Sequence, residues 1–521
     1  MGLYQYTVGS IPSFLSLSIQ YTLHGAQHVC INNFMIITPK INLFFIVLFI
    51  YLYYNILYIF KSKGVKLKNM DKQKIFNKKT LCWFIFILYS ILNLFLVLKH
   101  EPWRDEIHAW LMSKELSFSE LVVASRFDGH PILWHLILMP FAKSNFPIIT
   151  LNIISYIIML ISAWLLLFKT KLSLFFKVII LFTIPFTYIY SAISRNYCLI
   201  VLLLVLIALL YDKRYEKPIL YSVLIALLVH THSLVWGIVA GLTITFHFDE
   251  IILFFKHKNK ANIKKVLIGL TLIVVSTILV VLELYGTTNT DYGVNISSYI
   301  LRFVGLLAMI LLTFFVFTLF NKSYFREYMI LFFGFAFQIL VYTCFYSSVL
   351  FQRFMLIFVL ILFYLLLLSK ANLEERKFNI LCIIYLLFMC VFALNSFANT
   401  VTNDIKYPYS SAQEMAKYIN ENLPANTTIL IDASIIGQSV IPYLDTANFY
   451  DIAYNSYVTC ANVSHDKERI LNALRNLDKT YSGKYIIICN HFVPLDPSYS
   501  ELIFETKNSM INEIFSLYYI Y

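Results

Sequence analysis

Between residues 41 and 397 the chain is a succession of apolar runs, most of them near the ~20 residues an α-helix needs to cross a bilayer. No other feature constrains the fold as strongly. Inside lipid every backbone N–H and C=O must be satisfied within the protein, and for runs of this length the helix does so. Of the 521 residues 59% are hydrophobic and only 13% are charged, whereas soluble domains carry roughly 25% charged residues. These proportions exclude an ordinary soluble globular protein. We expect a polytopic α-helical membrane protein with about 11–13 spans.

The formal net charge of +12 fits such a chain, because membrane proteins gather Lys and Arg in cytoplasmic loops. No basic stretch outside a span is interleaved with stacking aromatics, so no nucleic-acid partner is expected. A first candidate span, 41–60, is followed by a lysine-rich loop that the positive-inside rule assigns to the cytoplasm. The next span, 80–98, then runs outward. Residues 131–141 read as a short surface or half-buried helix, 148–168 returns, 173–190 goes out and 197–211 comes back. Two shorter apolar arms, 218–229 and 233–246, meet at a hinge made of His230, Thr231 and His232. Spans 266–284, 298–320, 328–346, 351–368 and 379–397 complete the series.

The organisation is therefore threefold. Residues 1–79 form an extension with one span and a basic cytoplasmic loop, 80–398 form the multi-span core, and 399–521 form a polar domain on the outer side. In that last part AQEMAKYINENL and KERILNALRNL have helical periodicity, while TTILIDA and KYIIICN read as strands, giving a small α/β domain. It contains no nucleotide-binding glycine motif. Cys460 and Cys489 lie there and either pair or remain buried thiols.

The long charged interruption is 102–141, which overlaps the outer loop 99–131. It holds Asp105 and Glu106 just after a span, and Asp128, Gly129 and His130 just before Pro131. Ile107, Trp110 and Leu111 recur at helical spacing, so DEIHAWL suits an amphipathic surface helix with the two acids in its first turn, where the helix dipole favours them. Ser117 and Glu120 suit a capping box for the next helix. The parity of the spans brings Arg195, His230, His232, Glu283, Arg302 and Arg353 to the same face. Ionisable groups at membrane depth are costly and usually face a cavity, a partner or water. A single arginine there is more often an interfacial anchor, and an acid pair in a first turn can simply cap a helix. Lys177, on the opposite side, reads as an inner anchor.

WRDEIHAWL followed by DGHPILW resembles the first outer loop of the GT-C type membrane glycosyltransferases, which include protein O-mannosyltransferases and bacterial lipid A aminoarabinose transferases. The match is nearest to the bacterial dolichyl-phosphate-mannose-protein mannosyltransferase-like branch. It extends from about residue 80 to 397 through YSAISRNYCL and the HTH hinge, and more weakly into YPYSSAQEMAKYI. The resemblance implies transfer of a sugar from a polyprenyl-phosphate carrier to an envelope glycan, lipid or protein on the outer face of the cell membrane. Asp105 matches the candidate base, with Glu106 beside it. Asp128 and His130 match a second polar cluster, Arg195 and Arg353 sit where cations would hold a lipid phosphate, and His230 and His232 line the same side. A divalent cation between Asp105 or Glu106 and the phosphate is left open. The extra N-terminal span and the different outer domain depart from the better-studied members. Two rival readings stand beside it: a transporter or lipid flippase, which calls for inverted repeats and interrupted mid-membrane helices, and a non-catalytic membrane scaffold.

Overall fold

The computed structural model describes residues 78–128, 130–257, 260–285, 324–345, 351–370, 375–389, 403–431, 437–445, 447–458, 472–477, 481–489, 495–511 and 513–521. The expected spans at 41–60 and 298–320, together with Arg302 and Cys460, lie outside the described residues. Within them the chain is mostly helical with a small C-terminal sheet. Three helices are long and apolar enough to cross a membrane: Lys79–Lys99, Ile149–Lys169 and Ile263–Leu284.

The helical part begins with α1 (Lys78–Lys99), α2 (Arg104–Glu115), α3 (Phe118–Asp128), α4 (Leu133–Lys143), α5 (Ile149–Lys169) and α6 (Leu174–Leu181). It continues with α7 (Tyr197–Leu210), α8 (Pro218–Val229), α9 (Trp236–His257), α10 (Lys260–Leu284), α11 (Phe325–Phe345), α12 (Phe351–Leu368) and α13 (Glu375–Met389). On α1, Phe84, Ile87, Ile91 and Leu98 are exposed while Tyr89, Asn93, Leu96 and Val97 are fully buried. One apolar face is thus available to lipid and the other packs on α5. The capping box is present: the Ser117 N–H donates to Glu120 at 2.8 Å, and the Glu120 N–H to the Ser117 hydroxyl at 3.4 Å.

Several expected elements differ. The segment 173–190 is not one crossing helix. Ser173 caps α6 by accepting the Phe176 N–H at 3.3 Å, but Pro185 has no N–H to continue the ladder. The helix ends after 8 residues, and a π-helical turn over Pro185–Ile189 follows, closed by the Tyr190 N–H on the Pro185 carbonyl at 3.0 Å. The arm expected at 233–246 instead starts with a 3₁₀ turn over Ser233–Val235 and runs on as α9 to His257. Lys177 is not an anchor reaching for headgroups. It is buried, and its ammonium donates to the Leu167 and Thr170 carbonyls, each at 2.9 Å, satisfying the free C-terminal end of α5.

The C-terminal domain comprises α14 (Ala412–Asn422) and a six-stranded mixed sheet ordered β3-β2-β1-β4-β6-β5. Its strands are β1 (Thr428–Ile431), β2 (Asn448–Asp451), β3 (Ser456–Tyr457), β4 (Tyr485–Cys489), β5 (Ser500–Glu505) and β6 (Phe515–Ile520). β1 pairs in parallel with β2 and β4, and the outer pairings are antiparallel. Ile429 and Ile431 point to one face with Ile487, Met415 and Leu517, whereas Leu430, Ile486 and Ile488 point to the other. Such burial on both faces explains the continuous apolar runs in β1 and β4. Cys489 is buried in β4.

Helices α9 and α11 pack at unusually short range through Gly237 and Gly241. A Cβ at Gly237 would stand 2.2 Å from the Phe333 carbonyl oxygen, and one at Gly241 2.8 Å from Ile330 Cα. Small residues four apart let two helix backbones meet in this way. Gly237→Ala must push α11 away, and we expect it to lower stability by about 1–3 kcal/mol, measured by thermal unfolding in detergent micelles.

Candidate functional site

Consecutive helical residues do not face the same partner, and in α2 this separates the two acids. Glu106 turns inward and is 0% exposed. Its Oε2 lies 2.9 Å from His100 Nε2 and accepts the Trp103 N–H at 3.3 Å. Its Oε1 accepts the Ser194 N–H at 2.5 Å and the Asn152 side-chain amide at 3.3 Å. One carboxylate thereby joins the end of α1, the start of α2, the first turn of α5 and the turn before α7. His100 lies between this carboxylate and that of Asp404, 3.7 Å away. Burial alone would lower the imidazole, but Glu106 and Asp404 outweigh it and raise it into the charged form.

Asp105 turns the other way, with its side chain 25% exposed. The Arg195 guanidinium donates to its Oδ2, and Arg104 Nε stands 3.5 Å from its Oδ1. Partial burial pushes the carboxyl up, but Arg195 and then Arg104 override it and hold it below the usual range. Asp105 is therefore ionised at neutral pH. Arg195 also places a nitrogen 3.4 Å from His130 Nε2. The His130 Nδ1–H donates to the Asp128 carbonyl at 2.8 Å, and the opposite ring nitrogen, Nε2, faces Arg195.

The rest of the cluster closes around this pair. Asp128 lies 3.5 Å from His130 Nδ1 and 3.9 Å from His135 Nε2. Burial raises its carboxyl, but His130 and His135 bring it well below the usual range. His135, nearly fully buried, is lowered to about 4 by burial, with Asp128 only partly compensating. His232 packs edge-on to His130 with ring centroids 4.9 Å apart and stacks on Tyr197 at 5.3 Å. Its Nδ1 accepts the Leu234 N–H at 3.1 Å, closing the turn before α9.

Asp105, Asp128, His130, Arg195 and His232 meet in one cluster, although they come from α2, the α3–α4 turn, the turn before α7 and the α8–α9 hinge. Arg353, half-buried in the first turn of α12, lies within electrostatic reach of His232. Among the described residues His230 makes no contact with this cluster; it caps α8 and is half-exposed. Glu283 accepts the Ile132 N–H at 2.7 Å, so it ties α10 to the turn after His130 rather than lining the site. The surface-helix reading of α2 is corrected: residues from Glu106 to Ser113 are all buried, because α4 covers one side and the 3₁₀ segment Gly437–Tyr443 of the C-terminal domain covers another. A divalent cation does not fit the acid pair as arranged, since Asp105 is held by two guanidinium groups and Glu106 by four donors. No group of three His, Cys, Asp or Glu side chains among the described residues could hold one.

Sequence reasoning missed His100, Glu101, His108, His135, Asp404, Gln438 and Glu513. The dipeptide His100–Glu101, directly before PWRDE, carried a signal that was there to be found. Glu513 carried none. Glu101 accepts the Gln413 N–H at 2.9 Å, and burial raises its carboxyl to about 8. Comparison of the chain with known protein families and with curated proteins gives no match, so the functional reading rests on residues and geometry.

The two acids differ in what their loss does to the fold. Glu106→Ala strands His100 and three further donors without an acceptor and should cost about 3–5 kcal/mol. Asp105→Asn, at a quarter-exposed carboxylate whose partner Arg195 is more deeply buried, should cost less, about 1–2 kcal/mol. Thermal unfolding of the two variants side by side reads the difference; equal losses would contradict the division.

Proposed function

We propose that the chain is a polytopic membrane glycosyltransferase of the GT-C type, which moves a sugar from a polyprenyl-phosphate carrier to a cell-envelope glycan, lipid or protein. The single observation that carries the reading is an ionised, quarter-exposed carboxylate, Asp105, held directly against an arginine at the mouth of a buried histidine and aspartate cluster. A base and a phosphate holder are the two groups such a transfer requires. Three apolar helices of crossing length support the membrane setting, and lysine-rich loops support an outer location for 99–131 and the C-terminal domain.

On this reading the donor phosphate engages the Arg195 guanidinium, whose planar fork can give two hydrogen bonds to one phosphate. Arg353, within electrostatic reach of His232, adds positive charge. As Arg195 is drawn to the phosphate, Asp105 is released to the acceptor hydroxyl. The hydroxyl oxygen attacks the anomeric carbon, its proton passes to Asp105, and the sugar–phosphate C–O bond breaks with its electron pair leaving on the phosphate. Direct displacement inverts the anomeric centre. His130 stands by the second terminal nitrogen of Arg195, the first being on Asp105, and Glu106 acts as a strut beneath both.

The test is transfer from a labelled polyprenyl-phosphate hexose to envelope acceptors by purified protein. Asp105→Asn should lower turnover by about 10²–10⁴-fold with donor binding retained. Arg195→Lys should weaken donor binding instead. A wild-type protein that binds the donor but neither transfers nor hydrolyses it would sink this reading in favour of transport.

A further inference from the structure

The helix that carries Asp105 begins without a side chain of its own to close it. Trp103 occupies the N-cap position, extended at φ −103° and ψ 176°, and makes no side-chain cap hydrogen bond. Tryptophan has no acceptor atom to offer. The free N–H groups of the first turn must find acceptors elsewhere. Glu106 reaches back to the Trp103 N–H. The Arg104 N–H donates at 3.3 Å to Glu513 Oε1, 409 positions along the chain and in another domain.

Glu513 sits where the C-terminal chain re-enters the sheet as β6. Its backbone carbonyl accepts the Ser509 hydroxyl at 3.1 Å and the Ser411 N–H at 3.3 Å, so its position is set by the domain's own fold. Its side chain is fully buried. The same Oε1 that caps the helix lies 3.9 Å from Arg104 Nε, and that nitrogen is 3.5 Å from Asp105 Oδ1. One guanidinium is therefore shared between a carboxylate of the C-terminal domain and the carboxylate of the site. Around this point the domain grips the loop elsewhere too: Gln413 on Glu101 at 2.9 Å, Gln438 on His108 at 3.4 Å, and the Tyr409 ring against His100 with centroids 4.5 Å apart.

A buried carboxylate facing a cation on one side only is expensive to keep, and removing such a partner leaves its counterpart misplaced. The hydrogen bonds that fix the turn use the backbone of Glu513, and within its own domain the side chain meets Ser410. What its side chain does is close α2 and draw the Arg104 guanidinium to one side of Asp105, leaving the other side to Arg195.

We propose that Glu513 is a positioning residue for the site: from the C-terminal domain it caps the helix bearing Asp105 and shares Arg104 with it, so that the docked domain sets the geometry of the Asp105–Arg195 pair. This rests on the reading of Asp105 as the base, and it makes the outer domain part of the enzyme rather than an appendage.

The experiment uses the full chain in lipid nanodiscs, with hydrogen–deuterium exchange and turnover read on the same variants. Glu513→Ala should speed exchange of the first-turn amides of α2 by about 5- to 10-fold, the loss of one cap. Glu513→Gln, which keeps an acceptor oxygen, should stay close to wild type in exchange. Peptides of β1 and β4 should exchange as in wild type in both. Turnover should fall about 10-fold or more in Glu513→Ala with the donor KM changed by less than about 3-fold, as expected when orientation rather than binding is lost. Unchanged α2 exchange in Glu513→Ala, or a fall in turnover equal in Glu513→Gln and Glu513→Ala with no change at α2, would overturn the proposal. Should the sheet peptides also accelerate in Glu513→Ala, Glu513→Asp, one methylene shorter, is read by the same criterion. Because exchange at α2 is read without any substrate, a wild-type protein that transfers nothing counts against the transferase reading alone.

Discussion

The Glu106 carboxylate is the interaction on which the rest of the site depends. Four donors from four parts of the chain converge on its two oxygens. A buried charge is tolerated only when it is paired and hydrogen-bonded in this way. Once it is, α1, α2, α5 and the turn before α7 cannot move independently. Ser194 is one of the four donors, and the next residue is Arg195. The carboxylate next to Asp105 in sequence thus fixes the turn that delivers Arg195 to Asp105.

This arrangement explains why two adjacent acids serve different ends. Position on the helix sends Glu106 into the core and Asp105 to the edge, and environment follows from position. Asp105 keeps partial solvent access and meets two guanidinium groups, those of Arg104 and Arg195. The exposed face of α1 and the buried face of α2 locate the cluster just beyond one end of an apolar helix of crossing length. Lipid-borne and water-borne reactants could both approach a cluster so placed.

Much of the helical core was legible because apolar runs of fixed length are local properties, whereas the break that Pro185 makes in the run 173–190 was overlooked. α1, α5, α14, β1 and β4 lie where their patterns put them, and Ser117 with Glu120 closes α3 as the motif requires. Charge parity gathered Asp105, Asp128, His130, Arg195 and His232 onto one face without saying that they touch. It did not separate His232, whose ring packs on His130, from His230, which turns away two residues earlier. It gave no sign that the C-terminal domain lies against α2. Glu513 and Arg104 meet through tertiary packing alone, and no pattern within either segment encodes the other. The amphipathic reading of α2 failed for the same reason, since its polar side is covered by a domain more than three hundred positions distant.

The most direct measurement is a double-mutant cycle on the pair that the whole arrangement exists to bring together. Asp105→Asn, Arg195→Gln and the double variant are compared by thermal unfolding in one lipid environment. The account predicts a coupling free energy of about 1–3 kcal/mol between residues 90 positions apart. Additivity to within about 0.3–0.5 kcal/mol would mean that the two side chains do not meet, and the proposed site would have to be abandoned.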